Sequence, residues 1–428
     1  MNERLLQFIW QFRYFNQAEL CTAHGIPVRI MHPGRLNAGQ GPDFEEARIY
    51  IGDTLWVGQV ELHLKASDWM RHGHQHDAGY QQVILHVVWQ ADMAITDSRN
   101  NAIPTLELQT RVSQAMLHHY QQWMHSQAAL PCHSQLPQVK ELVWLQAKER
   151  MLVERLQQKT ELAVQMLQQS KGHWEQVCWQ MLCRYFGGKT NAESFMQIAQ
   201  SLPIEVLGRH KTQIIHLEAL LLGQAGLLHK ALKDDYAQLL WREYRFLQQK
   251  YGLQVINKPP VFLRMRPPNF PTIRLAQLAM LICKSGKLFS KLLQMEQVAE
   301  AYALFDVVAN DYWHYRYKFD QPTPYQPKHL GGQMIETILI NAVVPLVFAY
   351  GKQQGMPQYS EKALQWLQHI RAEQNILIKP FVQAGLPMPN AGYSQAALQL
   401  RLHYCDARRC LECAIGNNLL KQFMPIGS

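Results

Sequence analysis

The stretch Leu55–Lys65, LWVGQVELHLK, constrains this chain most, because polar and apolar side chains alternate along it. Alternation at period two is the pattern of a β-strand, whose successive side chains point to opposite faces. Read that way, Trp56, Gly58, Val60, Leu62 and Leu64 form a packed face, and Gln59, Glu61, His63 and Lys65 form the other. A helix would scatter both sets around its circumference, so the N-terminal part is committed to a sheet. Further β-like runs lie at 47–51, 83–89 and 104–108. Gly52-Asp53, just before this stretch, reads as a hairpin turn. An amphipathic stretch, Leu5 to Glu19, and a Gly/Pro-rich loop, HPGRLNAGQGPDF, precede them.

From about residue 138 the period changes. Leu142, Leu145, Leu152, Leu156, Ala163 and Met166 recur on one face of a long helix. Further helical patterns cover 174–186, 214–228, 235–251 and 333–349, with Pro and Gly punctuation at 201–203, 258–260 and 321–327. The expected fold class is α+β. An N-terminal α/β domain with a small mixed sheet spans 1–130, a large all-α domain 131–400, and a short cysteine module 401–428. A length of 428 residues suffices for two or three cores, and 47% hydrophobic with 18% charged residues is an ordinary globular composition. The N-terminus is charged early and lacks a signal-peptide h-region, and no uncharged apolar run reaches the ~18 residues of a membrane span. These features predict a cytoplasmic protein with no membrane partner. The net charge of +9 is compatible with a polyanionic partner such as DNA or RNA.

The polar face of 55–65 carries the chemistry. Asp43, in Gly-Pro-Asp, stands ahead of the hairpin, and the second strand bears Glu61, His63 and Lys65. An acid before a hairpin, then a strand with another acid and a lysine, resembles the PD-(D/E)xK nuclease fold. The resemblance implies a divalent cation (Mg, Mn or Zn) held by Asp43 and Glu61, with Lys65 orienting water or phosphate during phosphodiester hydrolysis. The sequence departs from that motif, because His63 occupies the place of the acid two residues before the lysine. Either His63 replaces the lysine after Glu61, or it replaces the acid before Lys65. An imidazole in the donor set favours Mn or Zn over Mg. The competing reading of these residues is an ordinary solvated sheet face.

Downstream, SDWMRHGHQHDAGY places His72, His74, His76 and Asp77 close together. Such a loop can supply metal ligands or a general base. His72, His74 and Asp77 are spaced to converge, His76 is expected in solvent, and His86 is expected as a core histidine. Asp68 is expected to cap a helix beginning near Trp69.

Two further groups stand out. Cys405, Cys410 and Cys413 have the Cx4CxxC spacing of a tetrahedral metal site, structural zinc or an iron–sulfur cluster, with Cys132 the first choice for fourth ligand and His403 the second. A Cys132 ligand would dock the chain end at the domain junction, which loosely resembles nucleases whose iron–sulfur cluster staples the ends of the nuclease domain. Arg264, Arg266 and Arg274, in RMRPPNFPTIR, either clamp phosphates of a nucleic acid or pair with carbonyls and acids of the helical domain.

The strings GPDF, LWVGQVELHLKASDW, HGH with Asp77 and Tyr80, VILHVV, GQAGLL, RMRPPNFPTIRLAQLA and YC with CLEC together resemble one uncharacterised bacterial family, found mainly in the Bacteroidota. That resemblance brings no activity with it. The leading expectation from the residues is a metal-dependent nuclease or nuclease-like, nucleic-acid-processing protein. The rivals are a non-catalytic nucleic-acid-binding or scaffold protein on the same fold, and a metal-dependent hydrolase of a small substrate. No G-x-x-x-x-G-K-[ST], G-x-G-x-x-G, H-E-x-x-H or G-x-S-x-G motif occurs, which argues against nucleotide-driven motors, dinucleotide oxidoreductases, zincins and serine hydrolases.

Overall fold

The computed structural model describes residues 1–37 and 39–423. The fold is mixed α+β, a curled sheet near the N-terminus followed by a large helical region. The chain divides into two compact units. One comprises 1–148, 379–386 and 400–428, and the other comprises 149–378 and 387–399.

In the first unit, helix α1 (Glu3–Phe12) is capped by Asn2, whose side chain accepts from Leu5 N at 2.9 Å. It ends at Arg13 in the left-handed conformation and buries Leu5, Leu6, Phe8, Ile9 and Trp10. The amphipathic signal to Glu19 therefore overran the helix, since a left-handed residue cannot continue it. The sheet has the order β1 (Val28–His32), β3 (Phe44–Ile51), β4 (Thr54–Lys65), β5 (Val83–Gln90), β6 (Thr105–Glu107), with the short β2 (Arg35–Leu36) also paired to β3. β3 and β4 form the expected hairpin about Gly52, whose φ of 61° suits the turn.

β4 is the hinge of this sheet. It is antiparallel to β3 through Val60 and parallel to β5 from Gln59 onward. A parallel strand needs a crossover, here supplied by α2 (Asp68–Arg71) and two short 3-10 turns, His74–His76 and Ala78–Tyr80. Trp69 roots the crossover in a cluster with Ala66, Val88, Ile95 and Ile103. The consequence for β4 differs from its alternation: Val60, Glu61, Leu62 and His63 are all buried, so both faces are covered there, while Trp56 is 48% exposed. The polar face is interior at its centre, and the expected packed face opens to solvent at its start.

The C-terminal segment of this unit holds a π-helical turn, Arg401–Cys405, a 3-10 turn, Cys410–Glu412, and the helix Ala414–Lys421. Tyr14 donates to Asn417 Oδ1 at 2.5 Å, and Arg408 donates to the Ser126 carbonyl.

The second unit is almost wholly helical. The helix 332–353 contains a π segment at Leu339–Val343; it is long and apolar enough to cross a membrane, yet 72% of its most apolar window is buried within the protein. Helix Ile214–Gln224 is also interior. It carries Glu218, which accepts from Trp313 Nε1 at 3.1 Å and Tyr236 Oη at 2.8 Å. Burial raises the Glu218 pKa to about 7, against the two hydrogen bonds that lower it. The native state then keeps a proton that the unfolded chain releases near its ordinary value, so this contribution is complete at low pH and is lost as pH climbs toward and past 7. Glu218→Gln should flatten the fall in stability between pH 5 and 8 by on the order of 3 kcal/mol. Urea unfolding of both proteins at the two pH values measures it, and parallel curves would contradict the assignment.

Candidate metal centre

The site grows out of an irregularity in β3. The pairing with β4 slips between Phe44 and Ala47, and Glu46 there has a φ of 58°. Such a bulge re-aims the residues beside it. Here it brings Asp43 against the middle of β4. Asp43 N donates to Glu61 Oε2 at 3.0 Å, and Leu62 N donates to Asp43 Oδ2 at 3.0 Å. The second Asp43 oxygen accepts from Gln7 Nε2, on α1, at 2.8 Å. Asp43 and Glu61, distant in sequence, thus share one buried corner.

Imidazoles close the other side. Donor atoms of His63, His72 and His74 all lie within 4.8 Å of one another. His63 Nε2 is 3.1 Å from His72 Nδ1, and Glu61 Oε1 lies 3.5 Å from His63 Nε2 and 3.6 Å from His74 Nε2. Beneath them, His63 Nδ1 meets His86 Nε2 at 2.8 Å. His86 is fully buried in β5 opposite Glu61, and its Nδ1 has no hydrogen-bond partner. Tyr80 stacks on His74 with ring centroids 3.8 Å apart.

The electrostatics follow from burying this much polarity. Desolvation, reinforced by Asp43, raises Glu61 to about 8; desolvation raises Asp43 to about 6 despite its hydrogen bonds. Desolvation, with His72 and His74 beside it, lowers His63 to about 3, and burial also lowers His74 and His86. The His63 imidazole, held neutral by burial, stands beside a Glu61 carboxyl that keeps its proton near neutral pH, and the pair can ligate a cation once that proton is released. Three nitrogens and a carboxylate suit a transition metal better than Mg²⁺.

Lys65, Asp77 and His76 fall outside this cluster. Lys65 ends β4 exposed, and its charge helps hold Asp92 low after the Ser67 hydrogen bonds. Asp77 is exposed and caps its 3-10 turn by accepting from Gly79 N at 2.8 Å, while its charge still reaches His74. His76 is exposed, and His86 belongs to both the core and the site. Asp68 does not cap α2: it is the first helical residue, and its carboxylate accepts from Lys65 N and pairs with Arg71. Gln7 and Tyr80 complete the site without having been picked out as functional. Tyr80 lay within the histidine loop, whereas nothing local in α1 distinguishes Gln7.

In the same unit, the thiols of Cys132, Cys405, Cys410 and Cys413 lie close enough to act on one another. Burial, then Cys413, Cys132 and Cys410, lifts Cys405 well above the ordinary thiol value; burial with Cys413 and Cys410 lifts Cys132 to about 12. Burial and Cys413 likewise raise Cys410 to about 12. Thiols gathered this way are the donor type that Zn²⁺ or an iron–sulfur cluster takes. Arg264, Arg266 and Arg274 lie in the second unit, around one cavity.

Residues 3–376 match the family described as Protein of unknown function (DUF2851). The chain belongs to that family. No curated protein and no solved structure matches the chain. Among the residues discussed, Asp43, Glu61 and the histidines of the site lie within the matched span, and Cys405, Cys410 and Cys413 lie beyond it.

The site depends on how closely β4 and β5 approach. A Cβ at Gly58 would stand 2.5 Å from Ile84 Cγ2 and 2.7 Å from the Gln82 carbonyl oxygen. Gly58→Ala should therefore destabilise the first unit by about 1–3 kcal/mol, seen as a lower thermal midpoint. An unchanged midpoint would mean that the strands have slack at this point.

Proposed function

We propose that the N-terminal unit is a metal-dependent phosphodiesterase of nuclease type, acting on nucleic acid at a divalent-cation site formed by Glu61, His63, His72 and His74 with Asp43 beside them. One observation carries this reading: three imidazole donors converge within 4.8 Å, with the Glu61 carboxylate 3.5–3.6 Å from two of them. A cation held there supplies Lewis-acid activation of water and of the phosphoryl oxygen. The connectivity adds support, since the second hairpin strand carries the acid and then crosses over to a parallel neighbour.

The residues divide the work. His86 faces His63 Nδ1, and the tautomer in which His63 Nδ1 donates to His86 Nε2 leaves His63 Nε2 as the metal donor, an orienting role common behind metal-bound histidines. Asp43 keeps the Glu61 carboxylate aimed inward through its backbone N–H. Tyr80, whose phenol burial and the nearby acids push up to about 12, stays protonated and can donate to a phosphate or leaving-group oxygen. Lys65, at the exposed strand end, is assigned electrostatic attraction of the polyanion rather than activation of water.

A second reading, hydrolysis of a small substrate, draws on a cavity of about 180 Å³ lined by Trp69, His74, Tyr80 and Arg99, too small for a duplex. Incubation with labelled single- and double-stranded DNA and RNA under Mg²⁺, Mn²⁺ and Zn²⁺ separates the readings. Cleavage by the wild type with a loss of at least about a hundredfold in Glu61→Gln and His63→Ala is expected. Cleavage of chromogenic small esters alone would favour the second reading. Nucleic-acid binding without metal-dependent cleavage, surviving Asp43→Ala/Glu61→Ala, would leave a binding or scaffold protein instead.

We also assign Cys132, Cys405, Cys410 and Cys413 to a structural zinc or iron–sulfur site that fastens the C-terminal segment onto the N-terminal unit; a cytoplasmic setting, which keeps thiols reduced, suits it. Elemental analysis of the purified protein should find zinc or iron in stoichiometric amount, falling in Cys410→Ser/Cys413→Ser. Protein that contains neither metal would count against this assignment.

A further inference from the structure

Arg264, Arg266 and Arg274 of the second unit line a cavity of about 360 Å³ at the start of helix α6 (Gly188–Ser201), which follows α5 (Trp174–Phe186) with a single residue between them when these helices are counted after α3 (Gln114–His125) and α4 (Glu141–Gln169). Among the described residues, four cationic side chains, Lys189, Arg264, Arg266 and Arg274, line it, and no carboxylate does. Arg274 is the telling member. It is only 8% exposed, yet its guanidinium donates to two neutral oxygens, Gln277 Oε1 at 3.0 Å and Asn269 Oδ1 at 2.5 Å. A buried guanidinium is ordinarily matched by an anion. Here the open side of the group is a cavity edged by three further cations.

The backbone at the cavity suits an anion as well. Gly187 is right-handed, and Gly188 has a φ of 59°. The Gly187 N–H is taken by the Cys183 carbonyl at 3.2 Å, so any backbone donors to an anion come from the first turn of the helix, whose N–H groups have no intrahelical acceptor. A Cβ at Gly187 would stand 2.6 Å from the Asn191 carbonyl oxygen and 2.8 Å from Phe195. The run Gly187-Gly188-Lys189-Thr190 lacks the upstream glycine of a P-loop and joins two helices rather than a strand and a helix, which is why no nucleotide motif registers there. The opposite wall is fixed to the same helix. Asn191, buried on α6, donates to the Val261 carbonyl at 2.9 Å and accepts from Val261 N at 2.8 Å, holding the loop that carries Arg264 and Arg266. Arg264 itself sits in the left-handed region at φ 60°, an unusual conformation for a non-glycine residue.

We propose that this cavity is a phosphate-binding pocket for a phosphomonoester or oligophosphate group, with Arg274 as its buried anchor and Lys189, Arg264 and Arg266 closing around the anion. Planar guanidinium groups bind phosphate oxygens in pairs. The cavity's size accommodates a phosphate or a short polyphosphate and excludes a duplex. The proposal stands whether or not the N-terminal unit cuts nucleic acid.

Calorimetric titration of the full-length protein tests it, in an Asp43→Ala/Glu61→Ala background so that the other site does not contribute. The probes are inorganic phosphate, pyrophosphate, and an oligonucleotide with a 5′-phosphate or a 5′-hydroxyl. Saturable binding of pyrophosphate is expected, weakened at least about tenfold in Arg264→Gln/Arg266→Gln. These arginines are exposed, so their loss leaves the core intact even if Arg274→Met does not fold. Lys230→Gln/Lys233→Gln removes the same charge outside the cavity and should change affinity less than about twofold. Tighter binding of the 5′-phosphorylated strand than of its 5′-hydroxyl twin assigns the pocket to a nucleic acid end. Equal binding of the two strands, with pyrophosphate still bound, assigns it to a free oligophosphate. No saturable binding of any phosphate probe, or equal losses in the arginine and lysine variants, overturns the proposal.

Discussion

The first unit depends on the central position of β4. That strand has an antiparallel neighbour on one edge and a parallel neighbour on the other, and its middle is covered on both faces. A strand in that place is normally apolar throughout. This one carries Glu61 and His63 into the interior, where ionised groups are strongly disfavoured unless paired or metal-bound. Everything about the site answers that constraint: the backbone N–H of Asp43 on Glu61, the Leu62 N–H on Asp43, Gln7 reaching in from α1, and His86 beneath His63. The protein holds an arrangement that burial disfavours, and it does so with hydrogen bonds from four separate elements.

The same constraint explains the direction of every shift. Asp43 and Glu61 are pushed up and His63 is pushed down, each toward its neutral form. A surface cluster of the same residues would keep its charges in water and would need no such support. The two other polar concentrations rest on the same physics in different forms. Burial and neighbouring thiols suppress the ionisation of Cys132, Cys405 and Cys410, and a buried guanidinium bonded only to neutral amide oxygens borders a cationic cavity. Each is a group of like character brought together by folding.

Much of this was legible along the chain. The alternation of 55–65, the Gly52 turn, and helices such as Trp174–Phe186 and Asp235–Tyr251 follow from periodicity and punctuation, which act over a few residues. The grouping of Asp43 with Glu61 was legible for the same reason, since a hairpin brings its own strands together. The histidine loop was visible as a cluster of candidate ligands, and the fold brings His72 and His74 of that loop together with His63. The reach of the amphipathic signal beyond Phe12 and the capping role given to Asp68 both missed because a single local conformation, the left-handed Arg13 and a helix start one residue early, overrode the pattern.

The sequence by itself determined the elements, the hairpin and the short list of reactive residues, because those depend on neighbours in the chain. Only the tertiary structure decided which of them act together. Alternation cannot report whether a polar face meets water or a second layer, so the burial of Glu61 and His63 required β5 and the crossover above them. Lys65 leaves the site because the strand runs out into solvent two residues later, and His86 joins it because parallel pairing sets it opposite Glu61. Gln7 enters from a helix whose own sequence gives no hint of it. The thiols of Cys132 and the terminal cysteines meet only because distant segments pack in one unit. Contacts between remote segments are selected by the free energy of the whole packed unit, and no local window of sequence contains that quantity.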